Sequence, residues 1–575
     1  MSFQNKTIYQ IYPRSFRDST GSGVGDLRGI IEKVPYIASL GVDMVWFNPF
    51  FVSPQRDNGY DIADYRAVNP ALGTMEDFEE LVAALDAHGI GVMLDMVLNH
   101  TSTQHEWFQR ALAGERDYQD FYYLRPGGPN GELPNNWISK FGGPAWASFT
   151  AASAAIGITE NNARTNGFAL NPAGPDAGDP ELYYLHLFDI TQADLNWHNP
   201  RVRQEMADIV EFWKGKGVKG FRFDVINLVS KQFNADGTGW FFNGPRIHEF
   251  VAEMHENAWG GKQLITVGEC PGATVDDAVR FTDPSRGEFD MVFQFEHMGV
   301  DHGMGGRYDI RPVDWARLKS IMARWQDGLA DVGWNSLYWC NHDQPRPVSR
   351  YGAGDTAYRA ASAKALATVL HLHRGTPYVY QGEELGMVNY PFTSLEQLDD
   401  VESRNWSAEA LGKGMDPAAV LAAVNVQSRD HARTPMQWDS SEHAGFTTGT
   451  PWLPVNPAYR EINAAAQVGD PESVFAHYQR LIALRRELPV VVDGRFELLL
   501  ADHPSVYAFT RVWEGDALLV VANLSGEGVE VGLPDGWDGA EVVIASGDPA
   551  ASGMPPAHLG VLGPWQAWVR RRQLG

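Results

Sequence analysis

Apolar positions along the chain follow two alternating periods. TIYQIYP (7–13) is a β-branched and aromatic run, and Ile30, Ile31, Val34, Ile37 and Leu40 follow at three- and four-residue spacing, which predicts a helix closed by Gly41. VDMVWFNPF (42–50) then starts a second strand, and the unit recurs. Phe78, Leu81, Val82 and Leu85 form a helical stripe ended by Gly89 before GVMLDMVLNH (91–100); Ile209, Phe212 and Trp213 precede Gly217 and GFRFDVIN (220–227). LITVGE (264–269), MVFQF (291–295), SLYWCNHD (336–343) and TPYVYQGEE (376–384) bring the strands to eight. Strands separated by helices imply a parallel sheet covered on both faces. Eight such units predict an α/β fold closed as a (β/α)8 TIM barrel rather than an open doubly wound sheet. Neither GxGxxG after the first strand nor GxxxxGK[ST] is present.

Two regions break the alternation. Residues 101–190 are rich in Gly, Pro, Asn and aromatics, with GGPNGELPNNW and NPAGPDAGDP, and carry weak helical periodicity. They read as a loop-rich subdomain inserted after the third strand, where it walls one side of a barrel mouth. Beyond a last helix near 472–486, RFELLLAD, VYAFTRVW, ALLVVANL and EVVIAS have period two and predict an antiparallel β-domain. The expected organisation is therefore barrel (1–100), insertion (101–190), barrel (191–490) and C-terminal β-domain (491–575).

Composition narrows the function. With 575 residues and 44% hydrophobic content the chain can support more than one core. A net charge of -26 speaks against nucleic acid or an anionic membrane as partner. The only two cysteines, Cys270 and Cys340, lie in apolar runs and read as buried thiols rather than a disulfide framework. No signal-like N-terminal stretch and no apolar run of about 18 residues occurs, so a cytoplasmic enzyme without a membrane partner is expected.

Within GFRFDVIN, Phe221 and Phe223 should share one face of a strand and Arg222 and Asp224 the other. Read alone, Arg222 and Asp224 could be a buried ion pair. Three further apolar runs, however, end on polar tips: Asn99-His100, Glu269 and Asn341-His342-Asp343. Singly, the histidines would be structural hydrogen-bonders and Asp343 a helix cap. Converging on one mouth, three carboxylates and two histidines raise the local self-energy, which makes sense where chemistry uses it.

NGYDIADY (58–65), DMVLNH (95–100), GFRFD (220–224), VGE (267–269) and NHD (341–343) resemble, in order and spacing, the signature regions of the alpha-amylase superfamily of glycoside hydrolases. FQFEHM (293–298), WNSLYWCNHDQPRPVSRYG (334–352), YQGEELGM (380–387) and RDHARTPMQWD (429–439) are similar to its oligo-1,6-glucosidase and alpha-glucosidase branch. The resemblance spans nearly the whole chain. It implies a retaining hydrolase with Asp224 as nucleophile supported by Arg222, Glu269 as acid/base, and Asp343 gripping sugar hydroxyls together with His100 and His342. It further implies Tyr60 as stacking face, Asp61 as acceptor for the distal hydroxyls, and Arg429, rather than Arg433, closing the pocket beside Asp61. A closed pocket admits chain ends, so exo-action on a short oligosaccharide is expected. Val225 would favour alpha-1,6 linkages.

The chain departs from the family at DSTGSGVGD (18–26). Relatives carry acidic and amide oxygens there for calcium, whereas this chain offers Asp18, Thr20, Ser22 and Asp26. No metal and no cofactor is expected. An insertion near 150–180 is longer than the branch suggests. The alternatives are an alpha-1,4-active alpha-glucosidase and a sucrose isomerase or transglucosidase using the same intermediate. The charged loop of sucrose isomerases is missing from YDIRPVDWARLKS (308–320). A non-catalytic transporter-associated barrel would have lost the carboxylates. A monomer or small homo-oligomer is expected.

Overall fold

The computed structural model describes residues 3–128, 131–148, 182–234, 238–261, 264–354, 356–532, 534–546 and 560–574. The insertion expected near 150–180 lies wholly outside them.

Eight parallel strands form one sheet in the barrel order: Ile8–Ile11, Met44–Phe47, Gly91–Val97, Gly220–Asp224, Ile265–Glu269, Met291–Phe293, Ser336–Leu337 and Thr376–Tyr380, with the eighth strand pairing with the first. A parallel bridge between Val292 and Asn335 joins the sixth and seventh strands and closes the ring. The predicted seventh strand, 336–343, is cut to two residues. After Leu337 the chain leaves the sheet, and side chains replace the ladder: Ser336 Oγ donates to Val292 O at 2.6 Å and the Tyr338 hydroxyl to Gln294 O at 2.7 Å.

Side-chain alternation sorts the fourth strand. Phe223 packs outward on Trp259 at 4.7 Å and Phe289 at 5.5 Å, while Arg222 points into the barrel, where the register places it opposite Asp95 of the third strand. In the 101–190 region Leu124–Pro126, Leu182–Leu185 and Trp146–Ser148 form a small antiparallel sheet.

The C-terminal sheet is antiparallel, in the order Arg495–Leu499, Val506–Trp513, Asp516–Asn523, Ala567–Gln573, Glu541–Ala545. Period two gives it two apolar faces. Tyr507, Phe509, Leu518 and Val520 join the barrel's core, whereas Val506, Ala508, Leu519 and Val521 build a separate one. Lys319 of the helix Trp315–Gly328 pins the junction, its ammonium donating to the carbonyls of Leu500, His503 and Val506 at 2.7, 2.7 and 3.1 Å. Cys270 and Cys340 are buried free thiols. Among the described residues no helix is long and apolar enough to cross a membrane.

Candidate active site

One guanidinium organises the carboxylates at the C-terminal ends of the strands. Arg222 reaches Asp95 at 2.7 Å and Asp224 at 2.6 Å through Nη1, and Glu269 at 2.5 Å through Nη2. Its side chain is 1% exposed, so it is a buried cation surrounded by three acids. Asp95 is fixed in turn by the Tyr60 hydroxyl at 2.8 Å and Trp46 Nε1 at 3.2 Å. Burial pushes both Asp224 and Glu269 up to about 7, with Arg222 pulling each back. Their mutual effects have opposite signs: Asp224's charge raises Glu269, whereas a hydrogen bond from Glu269 lowers Asp224. The two acids therefore share one proton as a coupled pair near neutral pH.

Val225 follows Asp224 with φ 35° and ψ 40°, the left-handed region. A β-branched residue is strained there by about 1–3 kcal/mol. The turn directs its N–H to Glu269 Oε2 at 3.1 Å and its side chain into the catalytic cavity.

At the opposite wall Asp343 accepts from Arg433 Nη2 at 2.8 Å and Arg429 Nη1 at 3.2 Å, and His342 Nε2 lies 3.3 Å from it. Burial alone would raise Asp343, but these cations and His342 outweigh it and hold the carboxyl well below the usual range. Arg429 also contacts Asp400 at 2.7 Å, Asp57 at 3.3 Å and Glu402 at 3.4 Å. The Tyr60 ring stacks on His342 at 5.1 Å and 8°.

The expected partner of Arg429, Asp61, is not at this wall. Its carboxylate is fully buried and accepts from Ser53 Oγ (2.9 Å), the Arg56 N–H (2.9 Å) and the Asp57 N–H (3.2 Å), tying its own loop together. Asp57 takes the place beside Arg429 and is also bonded by Gln192 Nε2 at 3.0 Å. Gly59, at φ 105°, makes the difference: a Cβ there would come within 3.0 Å of Pro49 O, and its turn swings Asp57 and Tyr60 to the mouth while Asp61 faces back.

His100 lies at the mouth, its Nε2 3.2 Å from Tyr60 O and 3.1 Å from Gln192 Nε2. Burial lowers it to about 4, so it is neutral at pH 7. Rather than ending the third strand, His100 begins a short strand, His100–Ser102, paired with Gln192–Asp194.

A cavity of about 320 Å³ gathers Asp57, Tyr60, His100, Asp224, Val225, Glu269, Asp343 and Arg429, a size that suits a short saccharide. Arg222 and Arg433 lie beneath its surface, each 1% exposed. Sequence reasoning missed Asp57, Asp95, Asp400 and Glu402, together with Lys140, Phe141 and Arg307 on the cavity wall. Asp95 carried a usable signal, since it is the lone charge in GVMLDMV, as Arg222 is in GFRF.

In the 18–26 loop, where the sequence leads one to expect no calcium, hydrogen-bond donors engage both carboxylates. Asp18 already accepts from the N–H groups of Thr20, Gly21 and Gly23 and from the hydroxyls of Thr20 and Thr447, all at 2.5–2.9 Å. Asp26 caps a helix through Gly29 N–H and accepts from Ser19. Both carboxylates face hydrogen-bond donors where a cation would need further oxygens.

Comparison with known proteins identifies the family. The alpha amylase catalytic domain matches residues 10–153 and 177–494, and the maltogenic amylase C-terminal domain matches 496–553. The chain is 46% identical to a trehalose-6-phosphate hydrolase of Bacillus subtilis (strain 168), covering 96% of this chain and 95% of that one. It is also 46% identical to an oligo-1,6-glucosidase of Parageobacillus thermoglucosidasius, covering 93% and 92%. Among solved structures, an isomaltulose synthase from Klebsiella sp. LX3 superposes with a TM-score of 0.90 at 37% identity, covering 100% of both chains. The Bacillus licheniformis trehalose-6-phosphate hydrolase superposes at 0.88 with 42% identity and 99% coverage of each. Family match, barrel and buried acids together place this chain in the alpha-amylase family of glycoside hydrolases.

Proposed function

We propose that the chain is a retaining, exo-acting alpha-glucosidase that releases terminal alpha-1,6-linked glucose from short oligosaccharides of the isomaltose and panose type. The observation that carries this reading is the asymmetry of the cavity. Arg429 ties Asp57 and Asp343 together along one wall, where Tyr60 also lines the cavity, and Glu269 with Val225 bonded to it forms a separate group.

In the first step Asp224 attacks the anomeric carbon while Glu269 gives its proton to the departing glycosidic oxygen, so the C–O bond breaks as the glucosyl–Asp224 ester forms. In the second, the Glu269 carboxylate takes a proton from water, whose oxygen displaces Asp224 and restores the original anomeric configuration. Arg222 supports the anionic nucleophile. A retaining pair stands roughly 5 Å apart, and one guanidinium holding both acids agrees with such closeness. Asp343, kept ionised, would draw on the ring hydroxyls as positive charge develops.

A phosphorylated substrate, as the name of the Bacillus subtilis relative suggests, would need free cations. Arg222, Arg307 and Arg429 in and beneath the cavity are each matched by carboxylates, which favours a neutral sugar, whereas Lys140 on the cavity wall has no carboxylate partner among the described residues and keeps a phosphorylated sugar as a further reading. The likeness to isomaltulose synthase keeps sucrose isomerisation as the second reading. Incubation with isomaltose, panose, maltose, trehalose-6-phosphate and sucrose, with products resolved by chromatography, separates these. Glucose from isomaltose and panose supports the proposal; an inert isomaltose, or sucrose converted to its isomers, overturns it. The buried thiols suit a reducing compartment, in keeping with a cytoplasmic enzyme.

A further inference from the structure

We propose that Arg346 is a positioning residue for the reaction: its guanidinium seats the short helix Asp430–Arg433 so that Arg429 and Arg433 both reach the Asp343 carboxylate. This role rests on the function proposed above, in which Asp343 draws on the ring hydroxyls as positive charge develops. Arg346 lies three residues beyond Asp343 and is fully buried. It has no carboxylate partner among the described residues. Its donors go to backbone carbonyls instead: Nη1 to Gln381 O at 2.5 Å, Nη2 to Ala432 O at 3.1 Å and Nε to His431 O at 3.3 Å. The last two carbonyls belong to Asp430–Arg433, near its C-terminal end, where a cation is favoured. Ala432 O also accepts from the Tyr380 hydroxyl at 2.8 Å, and Arg346 lies over the Tyr380 ring at 5.2 Å. Tyr380 ends the eighth strand, so the helix is tied to the rigid sheet.

The grip is reciprocal. From the helix, Arg433 returns Nε to His342 O at 3.1 Å and Nη2 to Asp343 Oδ1 at 2.8 Å. From the turn that carries Asp343, Arg346 holds the helix by the carbonyls of the two residues just before Arg433. Each segment therefore presents an arginine to the other's backbone, and the Asp343 carboxylate is caught between them. Its contact with Arg429, at 3.2 Å, is already long for a charged pair, so a shift of the helix by about 1 Å would open it. A misplacement of that size can cost about 10²-fold in rate even when it arises away from the chemistry.

The test is a double-mutant cycle with p-nitrophenyl alpha-glucoside, in which Arg346→Met and the milder Tyr380→Phe are each measured in the wild type and in Asp343→Ala. In the wild type, Arg346→Met should lower kcat by roughly 10- to 100-fold with KM changed less than about threefold, because Asp343 acts mainly as charge develops. Tyr380→Phe removes one bond to Ala432 O and should lower kcat by roughly 2- to 10-fold. In Asp343→Ala both losses should disappear, since the group to be positioned is gone. Partial unfolding would lower kcat equally in the two backgrounds, so equal losses overturn the inference, as does wild-type kcat in Arg346→Met or Tyr380→Phe. Should Arg346→Met not fold, Tyr380→Phe decides alone. An Asp343→Ala enzyme as active as the wild type would instead overturn the role of Asp343 itself.

Discussion

The backbone N–H of Val225 donates to Oε2 of Glu269 at 3.1 Å. A left-handed valine makes that bond, so backbone strain after the assigned nucleophile is tied to the orientation of the assigned acid. Val225 therefore bears on linkage in two ways, through its side chain in the cavity and through the group it steers.

Val225→Thr keeps the β-branch, and with it the strain, and adds a hydroxyl where the leaving sugar passes. The ratio of maltose to isomaltose kcat/KM should rise by about 10- to 200-fold, the range of steric discrimination on this scale. An unchanged ratio would return Val225 to a packing role.

Replacing Glu269 with Gln removes the transferable proton. Isomaltose hydrolysis should fall by about 10² to 10⁴ with the melting temperature retained. Near-native turnover would show the acid to lie elsewhere.

Acid catalysis also sets a pH limb. Glu269 must be protonated, and burial raises it to about 7, so activity is present below that value and lost as pH rises through it. kcat/KM for isomaltose should decline tenfold per unit above about 7. p-Nitrophenyl alpha-glucoside, whose leaving group needs no proton, should lose this limb in Glu269→Gln. An alkaline limb that persists in the variant assigns it to another group.

Asp57 and Asp61 separate function from fold. Asp57→Asn weakens a charged contact to Arg429 at the cavity wall and should lower kcat/KM by roughly 10- to 100-fold with little change in stability. Asp61→Asn leaves buried donors poorly matched and should cost about 1–3 kcal/mol of stability with kcat retained. The reverse pattern would restore Asp61 to the site.

EDTA should leave activity and melting temperature unchanged, because Asp18 and Asp26 are already engaged by hydrogen-bond donors. Loss of thermal stability that added calcium restores would mean that the loop rearranges to bind it.

Period and strand tips made the barrel and its three acids legible in the sequence, because both depend on local alternation. The seventh strand was overread: SLYWCNHD has strand character throughout, but Ser336 and Tyr338 bond across to the sixth strand region and draw the chain out of the ladder. Asp61 follows from the family resemblance alone; Asp57 and Asp61 flank Asn-Gly-Tyr symmetrically, and the turn at Gly59 bears on which of them faces the mouth. Asp400 and Glu402 come from a segment remote in sequence, and Arg429 holds both at the cavity with help from Arg433 and Arg307.

Proton NMR of a mixture of isomaltose and maltose, followed from the first minutes of reaction, tests the central claim most directly. A retaining alpha-1,6 glucosidase should consume isomaltose first, at about tenfold or greater preference, and the earliest free glucose from its non-reducing end should carry the alpha-anomeric signal before mutarotation. Beta-glucose appearing first would contradict the covalent intermediate on Asp224, and maltose consumed as fast as isomaltose would contradict the role given to Val225.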